Sequence, residues 1–450
     1  MDQRRRQLLA GIGGLTGGMI AGCLGSEPSG AAATVDVADG AHAIQEAVND
    51  VAADPNRAKL VVTGGEGEWN HTVSLPSNFT LEFEPGVTVT SSMTEADADT
   101  FDGGGAALIT NQDHDEGNTN ITIRGGHIDF ANVEGESPDG DVRWGPVWLV
   151  NCTDSLFEGI TVENVIWRYG VVFTDCERSV MKDCVARNIG YDGITLRGTC
   201  RHVDVYRCEA YEMEYGPGIQ AAPSLGGHGT GGHDVNFIHC RTPENIVVHG
   251  VRGGATAATI HGCAARRVSM IQEVNDFRIT NCDVDNISFS ALNGTLRNGR
   301  VDGCTMGERY GDELAPTATI LWTFGGTIEN VTFSNCTAQT DGNIRHFVEG
   351  RLVEAAGTVR HIDYVNCTFD GAGATDAVFI DHTPDGAERY QESIGSMESI
   401  RIHSSKLWNL DYVVRGPIDG LRIRDTELVA VDEWHDGQVR DLDTRDNDAW

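Results

Sequence analysis

One short pattern recurs along this chain, and it leaves few folds open. Eight segments end in Cys184, Cys208, Cys240, Cys263, Cys282, Cys304, Cys336 and Cys367. Three residues before each Cys stands a large apolar side chain: Met181, Val205, Phe237, Ile260, Ile279, Val301, Phe333 and Tyr364. Two residues further back, Val203, Val235, Phe277, Val331 and Ile362 repeat the apolar choice, whereas Ser179, Ala258 and Gly299 do not. Ser405 and Thr426 continue the series at one end, and Gly126 and Ile160 begin it at the other, making twelve copies. The spacings between the eight Cys are 24, 32, 23, 19, 22, 32 and 31 residues. Alternation over five or six residues is the period of a strand, not of a helix. Asn188-Ile189-Gly190 and Asp341-Gly342-Asn343 supply turn residues between strands.

A coil of about 20 residues with tolerated insertions is the unit of a β-solenoid. One coil cannot bury its inward face alone. Stacking the next coil ~4.8 Å away buries that face and pairs the backbones in parallel sheets. The expected fold is therefore all-β, a single-stranded right-handed parallel β-helix, with the hand taken from the preference for right-handed crossovers. Like positions stack on like, so the Cys form a ladder. Parallel Cβ atoms ~4.8 Å apart suit buried thiols better than disulfides, which want ~3.8 Å. Residues 43–51 (AIQEAVNDV) place Ile44, Ala47, Val48 and Val51 on one helical face, as a cap over the open sheet edge requires. The expected organisation is an export signal over 1–23, a tether over 24–33, a cap with the first strands over 34–110, the β-helix over 111–431 and a fraying acidic tail over 432–450.

Charge narrows the partners. The chain of 450 residues has 67 acidic against 33 basic residues, a formal net charge of −34. Only Lys59, Lys182 and Lys406 are lysines. Such self-repulsion strains a compact state in dilute buffer and is nearly silenced at about 1 M salt, where the Debye length is ~3 Å. The composition resembles that of salt-adapted, haloarchaeal-type proteins. It argues against nucleic acid and anionic membrane surfaces as partners.

The first residues read as an address. Arg5-Arg6-Gln7-Leu8-Leu9 resembles a twin-arginine export signal, and Ile20-Ala21-Gly22-Cys23 resembles a lipobox with Cys23 as the lipidated residue. The apolar stretch between them is shorter than the ~20 residues of a membrane span. The expected location is outside the cell, on the outer face of its membrane or secreted, with any membrane contact made through a lipid anchor only.

The helix segment Ile44-Gln45-Glu46-Ala47, followed by a strand and by Ser74 through Val89 (SLPSNFTLEFEPGVTV), resembles the entry segment of the pectate-lyase-like superfamily. That resemblance covers about residues 36–430. It implies a right-handed parallel β-helix and a choice among polysaccharide lyases, polygalacturonase-type hydrolases, epimerases and phage tailspikes. Gly190-Tyr191-Asp192-Gly193-Ile194 stands where the hydrolases carry N-T-D-G-I, which implies Asp192 as a catalytic acid or base on an outward strand edge. Gly227-His228-Gly229 matches their G-H-G, implying an assisting His228. Their intervening G-D-D is replaced by Tyr215-Gly216-Pro217-Gly218-Ile219, so a second carboxylate, as hydrolysis needs, falls to Glu214. A lyase needs a base of high pKa, for which Arg197 is the candidate, and Ca²⁺ would then be a cofactor. No metal ligands are assigned from the sequence. Trp167, Tyr191, Tyr215 and Arg252 are the candidate substrate contacts, aromatic rings for sugar faces and a cation for acidic groups.

The expected function is a monomeric, exported, carbohydrate-active protein that cleaves acidic polysaccharide in an outer groove. The alternatives are a non-catalytic protein binding surface glycans, and a uronate epimerase.

Overall fold

The structure, a computed structural model, describes residues 32–54, 58–94, 100–101, 105–133, 142–166, 168–223, 229–307, 310, 317–339, 346–353, 357–372, 374, 376–381, 396–435, 439–444 and 448–449. Arg5, Arg6, Cys23, Trp167 and His228 lie outside the described residues. The chain forms two compact units, Met1–Gly193 with Arg201–Cys208, and Ile194–Cys200 with Glu209–Trp450. Each is a stack of parallel strands. The fold is the right-handed parallel β-helix expected, with one α-helix among the described residues, Gly40–Ala53.

In the first unit the repeat residues stand in register. Leu60 pairs with Leu81, Leu81 with Ile123, Ile123 with Phe157, Phe157 with Met181 and Met181 with Val205. All are buried. Stacking begins earlier than the expected boundary at residue 111, because Ala33–Asp36 already pairs with Lys59–Thr63. The helix buries Ala41, Ile44, Val48 and Val51. Its Gln45 side chain takes the place of a missing strand: the Ser74 amide donates to Gln45 Oε1 at 2.7 Å, and Gln45 Nε2 donates to the Ser74 carbonyl at 3.2 Å. An exposed strand edge is thereby satisfied by one side-chain amide.

The second unit repeats the arrangement. Phe237 pairs with Ile260, Ile260 with Ile279, Ile279 with Val301, Val301 with Phe333, Phe333 with Tyr364, Tyr364 with Ile402 and Ile402 with Ile423. The expected tail over 432–450 is a correction: Ile418 pairs with Val439 and Glu427 with Asp448, so this segment adds further strands to the stack. Asp432 and Glu433 are exposed positions of the strand Glu427–His435, a pattern that leaves pairing intact.

Both units turn their corners the same way. The residue before each repeat Cys, or its Ser or Thr equivalent, has positive φ, from Asp183 and Arg207 through Asn281, Asn335 and Asn366 to Ser404 and Asp425. The residue five positions earlier does too, as at Arg178, Asp276, Asn298, Asn330 and Ser399. Left-handed residues favour Gly, Asn and Asp, which explains the punctuation in the sequence. Just past each corner the Cys thiol of the eight repeats donates to the carbonyl two residues back, at 3.4–3.7 Å. Ser405 and Thr426 make the same bond at 3.0 and 2.9 Å. The ladder is thus a column of small, weakly polar side chains tied to the corner backbone. Among the described residues all eleven Cys are buried thiols outside any disulfide.

Candidate functional site

The centre expected from sequence is divided by burial. In the first unit, Asp192 has no exposed surface. This corrects its expected place on an outward strand edge; its backbone carbonyl accepts from the Gly170 amide at 2.9 Å. The outward face of the neighbouring strands is sheathed rather than open. Trp148 and Val172, in register on adjacent strands, lie under Phe101, Ala107 and Tyr169 in one apolar cluster. Phe101, Trp148, Tyr169 and Tyr191 follow one another in edge-on ring contacts of 5.0, 5.7 and 6.3 Å. Only Tyr191 of these four is exposed, at 43%. Phe101, Trp148 and Tyr169 are therefore packing, and of this chain of rings only Tyr191 is placed to meet a ligand.

In the second unit, Arg197 is nearly buried and its guanidinium donates to the Pro223 carbonyl at 3.5 Å. A base for elimination must meet the substrate, and this burial opposes that role. Glu214 and Tyr215 are exposed in the turn before Ile219–Ala222, and a hydrogen bond to Glu214 raises the Tyr215 phenol above its ordinary range. Arg252 lies in the strand Arg241–Thr256 at a register shift between Gly250 and Ala255. Gly229 and Gly231 have positive φ, and a Cβ on them would lie 2.6 Å from the Gly198 backbone and 2.4 Å from the His249 carbonyl. Gly229 and Gly231 therefore serve close backbone packing. His233 is held between the Thr230 and Thr256 hydroxyls, at 2.5 and 2.8 Å.

The second unit carries another surface that sequence reasoning missed. Along one sheet, Leu196, Ala221, Val248, Met270, Phe289 and Leu321 point inward, Phe289 lying against Phe277 and Phe333 of the core. Their neighbours therefore point outward. One outward row runs Thr195, Gln220, Val247, Ser269, Ser288, Ile320, Glu349, Asp381, Arg415, each in register with the next. Beside it His249, Ile271, Ser290 and Trp322 form a second row in register. The small side chains are recessed: Ser269 and Ser288 are each 6% exposed and Ser290 8%. Trp322 and Phe324 stand out, at 36% and 37%.

The contrast with another outward face of the same unit is sharp. There Arg360 pairs with Glu329 at 2.6 Å and Arg401 with Asp363 at 2.5 Å, an ion-pair ladder in the open. Such pairs contribute little each and are a solvated surface. The hydroxyl and amide row lacks that character through most of its length.

Charge returns at its far end. Arg415 donates to Asp381 Oδ2 at 2.6 Å and to both oxygens of Asp376 at 2.8 and 2.7 Å. His346 Nε2 lies 3.1 Å from Asp381 Oδ2, and the Thr317 hydroxyl donates to Glu349 at 2.9 Å. Burial pushes the His346 imidazole below its ordinary range, against the pull of Asp381. His346 Nε2 also lies 3.3 Å from Arg415 Nη2, so ring, carboxylate and guanidinium meet at one point. Glu349 and Asp381 are carboxylates on adjacent strands. Among the described residues no group of three or more His, Cys, Asp or Glu is arranged to hold a metal ion.

A faint signal for this surface exists in the sequence. Thr317-Ala318-Thr319-Ile320-Leu321-Trp322-Thr323-Phe324 alternates so that Ile320, Trp322 and Phe324 share a face. Both faces contain apolar residues, so the alternation does not reveal which one meets solvent.

No family model matches the chain, and no curated protein matches it. Solved structures do. A mutant tailspike protein of E. coli bacteriophage HK620 superposes with a TM-score of 0.64 at 12% identity, over 89% of this chain and 74% of that one. The same tailspike in another mutant form, in complex with a hexasaccharide, gives 0.51 at 11% identity, with the same coverage of 89% and 74%. The pre-mature gene product 12 of bacteriophage phi29 gives 0.62 at 14% identity, over 90% of this chain and 55% of that one. The chain thus spans little more than half of the phi29 protein. At these identities the likeness is one of fold.

Proposed function

We propose that the chain is a carbohydrate-binding β-helix protein whose glycan lies along the outward face of the sheet from Gln220 to Arg415. One observation carries this reading: recessed hydroxyl and amide side chains in register on successive strands, beside the exposed rings of Trp322 and Phe324. A sugar chain needs hydrogen-bond partners at regular intervals and a flat apolar surface for its C–H faces. Strands repeat at ~4.8 Å, close to the advance of one pyranose in an extended chain. The HK620 tailspike of the same fold holds a hexasaccharide, which supports the reading at the level of fold. Export through the twin-arginine route with anchorage at Cys23 completes the proposal and would place this face toward extracellular or surface glycans.

Trp322→Ala is the test. Loss of a stacking aromatic is expected to weaken glycan binding about 30-fold, roughly 2 kcal/mol. Titration calorimetry against a glycan found by array screening reads it directly. A dissociation constant unchanged within about twofold would remove Trp322 from the site and this face with it.

A catalytic reading is favoured by one further observation, the adjacent carboxylates Glu349 and Asp381 at the end of the row. Glycoside hydrolysis uses two such groups, one giving a proton to the leaving oxygen and one acting on the anomeric carbon or its water. The Arg415 guanidinium on Asp381 suits an ionised carboxylate there. Glu349 would be the proton donor. This pair stands as an alternative to Asp192, His228, Glu214 and Arg197, favoured by its place on the binding face rather than by exposure, since Asp381 is as buried as Arg197. Release of new reducing ends by the wild type, lost in Glu349→Gln while binding persists, is the expected result. Release that survives in Glu349→Gln would return the chemistry to another site.

A further inference from the structure

Two adjoining rows of the binding face have a stretch without formal charge, and that stretch limits what can lie on them. It begins on the strand Ile219–Ala222 and ends on the strand Thr317–Phe324. Across these five strands the first outward row reads Gln220, Val247, Ser269, Ser288, Ile320. On the last four of them the second row reads His249, Ile271, Ser290, Trp322. Neither row contains Asp, Glu, Lys or Arg in this interval. His249 shares a 3.0 Å hydrogen bond with Gln272.

We infer that the face takes an uncharged glycan, bound through an internal run of about five sugar residues at one residue per strand. The inference rests on the glycan-binding reading above and names its substrate class. A uronate polymer brings one carboxylate per residue. Laid over this interval, each carboxylate would lose water against hydroxyl, amide and apolar groups with no cation in either row. It would do so on a protein of net charge −34. The arginines at the margins are engaged elsewhere: Arg267, at the next outward position of the Ser269 strand, donates to Asn286 Oδ1 at 2.7 Å. Arg415 is engaged by Asp376 and Asp381, and Arg197 donates to the Pro223 carbonyl. Arg351 stands in register with Trp322 one strand beyond the interval, where Glu349 and Asp381 also lie. A neutral chain has no such penalty. Its hydroxyls meet Ser269, Ser288, Ser290 and Gln220, which can each donate and accept. The acidic polysaccharide expected from family resemblance is therefore the wrong class for this face.

The test uses the full chain on an array of neutral and anionic glycans, in about 0.15 M and about 2 M NaCl, where the Debye length is ~8 Å and below ~3 Å. The expected hits are neutral, and their affinities change less than about threefold between the two salts. Within a hit series of about two to eight residues, affinity is expected to rise at least about tenfold up to about five residues and then level. Ser288→Arg, which sets a cation in mid-row, is expected to lower neutral-glycan affinity at least about tenfold and to admit oligogalacturonate. Wild-type binding of oligogalacturonate that Trp322→Ala abolishes would overturn the inference while keeping the face. So would affinity that levels at two residues. Neutral hits indifferent to both Trp322→Ala and Ser288→Arg would sink the face itself, and an array without hits would sink the glycan reading and the inference together.

Discussion

Gly299→Val should destabilise the protein by about 3 kcal/mol, in the upper part of the range for overpacked cores. The repeat would suggest the opposite. At the equivalent position other coils carry Val203, Val235, Phe277, Val331 and Ile362, so valine would restore the pattern. The structure shows why glycine stands there. A Cβ at Gly299 would lie 2.1 Å from Cζ of Phe277, the ring of the preceding coil. Phe277 reaches over the next coil and occupies the volume that a side chain there would need. A flat ring fixed against Phe289 at 5.3 Å cannot simply swing aside. Phe277→Val alone should cost about 2 kcal/mol through lost burial and a cavity. The double variant Phe277→Val, Gly299→Val should recover most of the loss, giving a coupling of about 2 kcal/mol or more. Shifts in urea midpoint at constant slope measure all three. A neutral or stabilising Gly299→Val would show that the coils slide to make room.

Raising KCl from about 0.1 to about 2 M should raise the melting temperature by on the order of 10 °C, as the Debye length falls from ~10 Å to below ~3 Å. Two effects compete. Salt weakens the surface pairs, such as Arg360 with Glu329, Arg401 with Asp363 and Arg207 with Asp183, all exposed on at least one side. Each contributes at most about 1 kcal/mol and screening removes only part of it. Salt also screens the repulsion among 67 acidic residues, of which only 33 have a basic counterpart in number. That repulsion is summed over the whole surface, so relieving it outweighs the weakened pairs. A melting temperature that falls with salt would mean the local pairs dominate and the acidic composition is no adaptation to brine.

The repeat was legible because its causes are local. Alternation at Val235, Phe237 and Cys240 is a property of one strand, and left-handed corners at Asn281 or Asn335 depend on side chains that tolerate positive φ. Those signals recur in every coil, so register followed from aligning them. Gly299 was the irregular position, and its reason lies in a neighbouring coil. The candidate site was less legible. Asp192 and Arg197 sit in motifs whose chemistry presumes exposure, and the structure buries both. Trp322 and Phe324 sit in a run that alternates like any other strand, and they are exposed.

By itself, then, the sequence determined the solenoid, the inward residues, the buried thiol column and the acidic surface, because strand period and corner chemistry act within a few residues. Only the tertiary structure decided which outward rows are covered and which are open. Outward side chains obey the same period of two on every face. What lies over them comes from segments distant in sequence, as Phe101 and Tyr169 come to lie over Trp148. Burial of an outward residue is a non-local property, and function on a β-helix depends on that property.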